Sequence, residues 1–456
     1  MTSVKKLRAW GRRSALLDAW ARTVRSHGGR TAITPADGSK PVSFAELDAC
    51  ATRWYARHAA DLPDLTGRAV VFAAANGIGW FEIFLGLLKA GAVVVPLDPG
   101  EPPAAQRRLA TVLRAGFWWN GTSLEPLPDG RRYRDPATCL IKLTSGTTGQ
   151  PRPLVFTAGQ LLADGRQVTS TMGIGPRDLN YALIPLGHSY GLGNLTVPLL
   201  AHGVPLVCAS SPLPHAIAED FARWQPTIFP GVPAMWRSLA AADATLPGLR
   251  LAISAGAPLP PEVAQDFVAR FGVRLHSFYG SSETGGISYD RTGSGALAGQ
   301  VGRAMRGVKL KALAGRRVQV SSAAVLTQGN RRRAGRLGAW VMPDRVELDA
   351  RGEVTLRGRR GTTVKIAGRR VNLAEIADRL RRLPEVREVW VGLSAGAEPV
   401  LGAVVASARS AAELRASLLA DTAPWKIPRQ LVVVTALPLT ARGKPDPGAL
   451  RRMISR

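Results

Sequence analysis

The segment Thr144-Ser145-Gly146-Thr147-Thr148-Gly149-Gln150-Pro151-Arg152 decides the interpretation of this 456-residue chain. Its two glycines let backbone amides face a ligand without obstruction by side chains. Four hydroxyl groups lie within five positions, and Arg152 adds a cation. Donors at this density suit a polyphosphate. The segment is not a Walker A loop, because no Gly-Lys-Ser/Thr follows, and its glycine spacing differs from the dinucleotide-binding fingerprint.

Strands and helices alternate around this loop. An apolar strand is predicted at 69–74, a helix at 79–90, and a strand at 138–143 that leads into the loop. This order is typical of a parallel sheet covered by helices. After about residue 300 short strands separated by Gly and Arg follow. Further elements are predicted as helices within 14–60 and at 261–271, 373–383 and 411–419, and as strands at 92–96, 181–186, 204–209, 227–229, 249–254, 273–279, 317–320, 353–357, 388–392 and 403–406.

A second diagnostic segment is Tyr279-Gly280-Ser281-Ser282-Glu283-Thr284-Gly285. Together with the glycine-rich loop, it resembles the adenylate-forming superfamily, which comprises acyl-CoA and aryl-CoA synthetases, adenylation domains of peptide synthetases, and luciferases. The resemblance covers nearly the whole chain. Weaker matches lie at 43–47, 86–99, 185–191, 254–259 and 438–444.

The resemblance implies an α/β fold with two domains. Residues 1–360 would form a large AMP-binding domain of mixed, mostly parallel sheets with helices. Within it, about 300–360 would be a small barrel-like β subdomain. Residues 361–456 would form a small mobile α+β domain, with a hinge near Gly361, where glycine tolerates large changes of the backbone angles.

The resemblance also implies a two-step reaction, that of an AMP-forming acid–thiol ligase. A carboxylate attacks the α-phosphate of ATP and releases pyrophosphate, and a thiol then displaces AMP from the acyl-adenylate. The implied cofactors are ATP, Mg²⁺, and CoA or the phosphopantetheine thiol of an acidic acyl carrier protein. The implied catalytic residues are Lys444, Glu283, Thr284 and His188.

Each of these positions has an implied role. Lys444, in Thr440-Ala441-Arg442-Gly443-Lys444, would contact the carboxylate and α-phosphate oxygens. Glu283 would hold magnesium, with Thr144 or Thr148 close by. Thr284 would donate to the α-phosphate, and His188 would border the acyl pocket. The implied nucleotide-binding set is Thr144, Ser145, Gly146, Thr147, Thr148, Gly149, Arg152, Gly256, Ala257, Tyr279, Gly280, Ser281, Asp344, Arg359 and Lys365.

Some positions depart from the family pattern and indicate a compact, divergent member. Arg152 replaces the usual Lys, which keeps the cation but changes its geometry. Pro153 replaces the usual Gly and removes a backbone donor. The Thr-Gly that usually precedes the ribose-binding Asp is missing before Asp344.

The loop Gly187-His188-Ser189-Tyr190 bears on the substrate. Amino-acid-activating members carry an Asp in this loop, and this chain has none, which favours an aryl or fatty acid over an amino acid. The candidate pocket residues are His188, Tyr190, Gly231, Val232, Ala257 and Gly285. Many of them are small, which leaves room for a ring or chain. The alternative is a non-catalytic relative that binds ATP or acyl groups as a binding or regulatory protein.

The formal net charge of +27 comes from 60 Lys and Arg against 33 Asp and Glu. No RNA-binding, zinc-finger or basic-zipper pattern accompanies it, so nucleic acid is not an expected partner. Basic residues outnumber acidic ones after residue 360, which suits CoA or an acidic carrier protein. The three cysteines have neither metal-binding nor redox spacing.

The sequence predicts neither a signal peptide nor a membrane span. The basic N-terminus is not followed by a long apolar run, and no apolar stretch reaches 18 residues. A cytoplasmic location is therefore expected. Weak peripheral contact with a membrane, through Trp10, Trp20 and the basic N-terminus, stays open.

Overall fold

The computed structural model describes residues 14–59, 62, 64–145, 151–209, 211–326, 337–359, 363–366, 368–396, 398–438 and 445–455. The chain divides into two compact units. Unit 1 comprises Met1–Pro99, Leu113–Lys142 and Leu154–Arg360, and unit 2 comprises Gly100–Val112, Leu143–Pro153 and Gly361–Arg456. The domain boundary at residue 360 stays a prediction, and so does the hinge at Gly361, which lies outside the described residues.

Strands form the sheets of both units. In chain order they are β1 (Thr31–Pro35), β2 (Val42–Ser43), β3 (Ala69–Ala73), β4 (Val93–Leu97), β5 (Phe117–Trp119), β6 (Leu124–Pro126), β7 (Thr138–Ser145), β8 (Pro151–Thr157), β9 (Asn180–Ala182), β10 (Leu206–Cys208), β11 (Ile228–Gly231), β12 (Leu251–Ser254), β13 (Leu275–Ser281), β14 (Gly285–Tyr289), β15 (Arg303–Ala304), β16 (Lys309–Leu313), β17 (Arg317–Ser322), β18 (Gly338–Val341), β19 (Asp344–Leu348), β20 (Val354–Arg359), β21 (Thr363–Ile366), β22 (Arg369–Asn372), β23 (Val386–Leu393), β24 (Leu401–Ser407) and β25 (Gln430–Val434).

The α-helices connect and cover these strands. They are α1 (Ala15–His27), α2 (Phe44–His58), α3 (Ile78–Lys89), α4 (Pro103–Val112), α5 (Ala158–Met172), α6 (Ser189–Gly191), α7 (Val197–His202), α8 (Pro214–Trp224), α9 (Pro233–Ala240), α10 (Pro261–Phe271), α11 (Ser294–Leu297), α12 (Leu373–Arg381), α13 (Ala411–Leu419) and α14 (Pro447–Met453). A π-helical turn, Leu192–Thr196, joins α6 to α7. No helix of the described residues is long and apolar enough to cross a membrane.

Two large sheets organise the chain before residue 305. Among the described residues, the larger has nine strands in the order β15-β14-β13-β12-β11-β9-β10-β1-β2, and the other has six in the order β6-β5-β3-β4-β7-β8. The centre of each is parallel, whereas β2, β6, β14 and β15 pair antiparallel. Strand β4 is buried throughout and reads as a continuous apolar run, as expected of a strand covered on both faces. The predicted parallel α/β architecture is confirmed.

Antiparallel strands follow after residue 305. Strands β16, β17 and β18 form one sheet, and β19 and β20 form another. In unit 2, β24 pairs antiparallel with β23 and parallel with β25, and α12 and α13 contribute to their apolar core. The structure thus has large mixed sheets with helices and a small β-rich C-terminal region. The barrel-like form of 300–360 and the mobility of the C-terminal region stay predictions.

Local sequence signals explain several helix boundaries. Ser43 and Glu46 form the capping box that the sequence predicts at the start of α2. The predicted helix at 261–271 is present as α10, and α13 spans 411–419 as expected. Helix α2 packs on α3 through Gly86, where a Cβ atom would lie 2.3 Å from the Trp54 ring. Position 86 therefore has no room for a side chain.

A buried ion pair holds part of unit 2 together. Lys426 Nζ lies 2.5 Å from Glu101 Oε1, and the two side chains are 16% and 7% exposed. The side chains of a second pair, Arg108 and Asp421, are 41% and 44% exposed. Removing one partner should cost far more free energy of unfolding at the buried pair than at the exposed pair, because a buried charge without its partner is strongly destabilising.

We expect Lys426→Met to destabilise the fold strongly. It leaves the Glu101 carboxylate buried without its cation, at a cost of about 3–5 kcal/mol. Arg108→Met, the control at the exposed pair, should cost at most about 1 kcal/mol. Urea unfolding measures both. Equal losses in the two variants would contradict the assigned role of burial, and Glu101→Gln/Lys426→Met should recover most of the loss.

Candidate functional site

The turn between β13 and β14 carries the second diagnostic segment. The two strands pair antiparallel with Ser281 opposite Gly285, and residues 282–284 form the turn. A Cβ atom at Gly280 would lie 2.8 Å from the carbonyl oxygen of Gly285. A side chain at position 280 would therefore push the two strands apart, which explains this glycine without a ligand.

Three of the predicted nucleotide-binding residues lie together. Tyr279 Oη donates a hydrogen bond to Asp344 Oδ2 at 2.8 Å. Asp344 begins β19 and is opposite Arg359, the last residue of β20, in the antiparallel register. Three separate parts of the sequence thus meet where the resemblance expects adenosine to be held. The stacking of Tyr279 on adenine and the contact of Asp344 with ribose stay predictions.

We expect Tyr279→Phe to weaken ATP binding and leave the chemical step largely intact. The ring is kept, but Asp344 loses the hydroxyl that orients it, so KM for ATP should rise about 3- to 10-fold with kcat nearly unchanged. The matched control is Tyr181→Phe, which removes a similar bond of 2.6 Å to Asp220. Steady-state kinetics with varied ATP measures both. A KM shift in both variants, or in neither, would contradict the assignment.

Glu283 lies half-buried in the turn. Its backbone carbonyl accepts a hydrogen bond from Leu326 N at 3.0 Å, which helps to fix the turn. Mg²⁺ in nucleotide sites is usually held by one or two carboxylates together with phosphate oxygens. Within the described ranges, no cluster of three or more His, Cys, Asp or Glu residues could hold a metal by itself. The role of Glu283 as a magnesium ligand, together with a bound nucleotide, stays a prediction.

Thr284, the last residue of this turn, is fully buried. Its Oγ1 lies 3.0 Å from Ser281 Oγ, and it also donates to the carbonyl oxygen of Gly285 at 3.0 Å. In this conformation the hydroxyl links residues of the turn itself. Its role as a phosphate donor stays a prediction.

His188 caps the short helix α6. Its Nδ1 accepts a hydrogen bond from Tyr190 N at 3.3 Å, so the neutral imidazole that makes this bond carries its proton on Nε2. The next residue, Ser189, donates through Oγ to Ser282 Oγ at 2.9 Å. This bond ties the His188 segment to the turn that holds Glu283. The catalytic role of His188 stays a prediction.

The glycines of the predicted acyl pocket make room for other parts of the protein. A Cβ atom at Gly231 would lie 2.6 Å from the Trp236 ring, and one at Gly285 would lie 2.2 Å from Asp164 Oδ1. Their small size therefore does not indicate space for a substrate, contrary to the expectation from sequence. Gly256 lies two residues after the end of β12 and has a φ of +87°. Ala257 is half-buried.

Other predicted site residues belong to unit 2. Thr144 Oγ1 lies 3.5 Å from the carbonyl oxygen of Arg152, whose side chain is exposed. Ser145 ends β7, and Lys365 lies half-buried in β21 opposite Arg370. The remaining predicted residues lie outside the described residues: Gly146, Thr147, Thr148, Gly149 and Lys444.

Comparisons with known proteins agree with the motifs. Residues 120–320 match the family described as AMP-binding enzyme. The chain is 30% identical over 338 residues to benzoate–CoA ligase of Thauera aromatica. The chain belongs to the AMP-binding, adenylate-forming superfamily. The predicted family is thereby confirmed, and several of the similar members are acid–CoA ligases.

The extent of these similarities differs. The match to the Thauera ligase covers 67% of this chain and 64% of that ligase. The 4-hydroxybenzoate–CoA/benzoate–CoA ligase of Rhodopseudomonas palustris is 26% identical over 84% of this chain and 75% of its own length. The fold matches o-succinylbenzoate CoA synthetase of Bacillus subtilis with a TM-score of 0.79 at 20% identity, over 95% of this chain and 98% of that chain.

Two buried charges near the Glu283 turn were not singled out from the sequence. Lys142, on β7, and Asp164, on α5, are 4% and 5% exposed. Burial lowers the pKa of Lys142, although the carboxylates of Asp164 and Glu283 oppose this. Burial raises the pKa of Asp164, whereas the charge of Lys142 and a hydrogen bond from Gly286 N lower it. The available signals were Lys142 inside the apolar run 139–143 and Asp164 directly after the apolar residues 161–163.

Proposed function

We propose that this protein activates a carboxylic acid with ATP to form an acyl-adenylate and pyrophosphate, then transfers the acyl group to a thiol with release of AMP. The main support for this proposal is the hydrogen bond between Tyr279 and Asp344 beside the Glu283 turn. It joins two residues that the superfamily assigns to adenosine, and Tyr279 lies on the strand that leads into the turn with Glu283. The proposed domain of residues 361–456 would rearrange about Gly361 between the two steps.

In the first step the chain has to bring two negatively charged reactants together. Glu283 would hold the Mg²⁺ that neutralises phosphate oxygens, while the amides and hydroxyls of 144–149 would bind the β- and γ-phosphates. Lys444 would place a cation at the carboxylate and α-phosphate oxygens, where charge shifts during attack. Thr284 would add a hydroxyl donor, and His188 would border the acid.

The proposed acid is aromatic. The similar ligases of Thauera aromatica and Rhodopseudomonas palustris act, by name, on benzoate or 4-hydroxybenzoate. The loop 187–190 offers no carboxylate for an α-amino group. Fatty acids are the second class to test, because the pocket glycines give no independent argument for a ring.

The proposed acceptor is CoA, with an acyl carrier protein as the alternative. Both are anionic and would suit the basic surplus of residues 361–456. The structure restricts which arginines could serve. Arg379 binds Glu375, Asp421 and Thr422 and is 18% exposed, and Arg381 pairs with Asp378. Arg382 is exposed and is a better position for a charge reversal.

The test is acid-dependent ATP–pyrophosphate exchange with a panel of aromatic acids, fatty acids and amino acids. We expect exchange with an aromatic acid and none with amino acids. Adding CoA or a carrier protein to the reaction then identifies the acceptor by AMP release. ATP binding without exchange on any acid would contradict the proposal and favour the non-catalytic binding protein.

A further inference from the structure

Asp164 sits in a cradle made of glycines. Gly286 N donates to its Oδ1 at 2.9 Å. A Cβ atom at Gly285 would lie 2.2 Å from Oδ1, and one at Gly193 would lie 2.9 Å from Oδ2. Gly285 also has φ of +69°, a conformation that side chains disfavour. The backbone here is shaped to admit this one carboxylate.

The glycines of the cradle come from two functional segments. Gly285 and Gly286 directly follow Glu283 and Thr284, whereas Gly193 lies in the π-helical turn after His188. Such π-helical turns occur frequently at functional sites. The Ser189–Ser282 hydrogen bond of 2.9 Å joins the same two segments a second time. Asp164 therefore connects the Glu283 turn with the His188 segment from inside unit 1.

Lys142 supplies the charge that a buried carboxylate needs. It is buried on β7, with Nζ 4.3 Å from the centroid of the Phe156 ring. The carboxylates of Asp164 and Glu283 both act on its ammonium group. A buried anion without a cation nearby would be strongly destabilising. Lys142 thus balances Asp164 and lies within electrostatic reach of the predicted magnesium ligand.

We infer that Asp164 and Lys142 form a buried positioning pair that fixes the Glu283 turn against the segment after His188. Neither residue needs to touch substrate. Asp164 holds the backbone at Gly286, and the ammonium group of Lys142 attracts the Asp164 carboxylate. The catalytic consequence of the pair rests on the proposed function, whereas its effect on the two backbone segments does not.

The test compares Asp164→Asn, Lys142→Met and the double variant in pyrophosphate exchange. Each single variant leaves one buried charge without its partner and should lower kcat about 10- to 100-fold. The double variant is neutral and keeps an oxygen that can accept from Gly286 N, so kcat should return to within about fivefold of the wild type. Asp220→Asn is the control, since Asp220 is also buried and bonded, to Tyr181, away from the turn. It should lower the melting temperature without lowering kcat.

Two results would overturn the inference. One is a double variant whose loss equals the product of the single losses. The other is single variants that only melt earlier, as Asp220→Asn is expected to do. If a single variant does not fold, the neutral double variant still reports on the pair.

Hydrogen–deuterium exchange separates this inference from the proposed function. Asp164→Asn should speed amide exchange at both 189–196 and 281–286, whereas Asp220→Asn should leave both segments unchanged. If the wild type catalyses no pyrophosphate exchange with any acid, the proposed function fails. Faster amide exchange at both segments in Asp164→Asn would still support the positioning pair. Unchanged protection at either segment overturns the pair.

Discussion

Glu283→Gln is expected to reduce acid-dependent pyrophosphate exchange by about 100-fold or more, because the neutral amide is a poor ligand for Mg²⁺. The substitution keeps the size of the side chain in a half-buried turn whose backbone is fixed by Leu326 N and by the β13–β14 pairing. We therefore expect the melting temperature to change little. Raising the Mg²⁺ concentration should recover part of the activity, as expected for a weakened metal site.

Glu46→Gln is the matched control for this experiment. Glu46 belongs to the capping box of α2, where glutamine can make the same bond to Ser43 N. Its exchange activity and Mg²⁺ dependence should match those of the wild type. A Glu283→Gln variant with wild-type activity at every Mg²⁺ concentration would remove Glu283 from the metal site.

Lys444→Ala should lower the adenylation rate by about 100- to 1,000-fold, because it removes a cation from the place where charge shifts during attack on the α-phosphate. The effect should be confined to the first step. When the acyl-adenylate is supplied directly, transfer to the thiol should proceed near the wild-type rate. ATP binding, measured by titration, should persist through Tyr279, Asp344 and the glycine-rich loop.

Arg442→Ala is the control in the same segment. It removes a cation two residues away, outside the Thr-x-x-Gly-Lys positions that carry the resemblance. Pyrophosphate exchange in this control should stay within about threefold of the wild type. Equal losses in both variants would indicate a general effect of charge, and an unaffected Lys444→Ala would contradict the assignment of the lysine.

Local signals predicted much of the fold. The Ser43–Glu46 capping box, the apolar strands β3 and β4, and helix α10 each depend on residues close in sequence, so they could be found from the sequence. Strand ends were less accurate. The strand expected at 181–186 is shorter and spans Asn180–Ala182 as β9. The side chain of Asn76 forms hydrogen bonds with the backbone at 182, 184 and 186, in place of a neighbouring strand.

The spatial relations within the site were harder to predict. The Tyr279–Asp344 bond, the Glu101–Lys426 pair and the Asp164 cradle join residues far apart in the chain, and no local pattern encodes them. The argument from the small size of Gly231 and Gly285 to space for a substrate lost its support for the same reason. A sequence shows a missing side chain but not the Trp236 ring or the Asp164 carboxylate that occupies its place.

The most direct test of the central claim follows oxygen from the acid into AMP. The enzyme is incubated with ATP, the thiol acceptor and an acid labelled with ¹⁸O at both carboxylate oxygens, and the products are analysed by mass spectrometry. Attack of the carboxylate on the α-phosphate, followed by thiol transfer, predicts one ¹⁸O in AMP and one in the thioester carbonyl. Unlabelled AMP, or ADP together with ¹⁸O-labelled inorganic phosphate, would contradict adenylation by this chain.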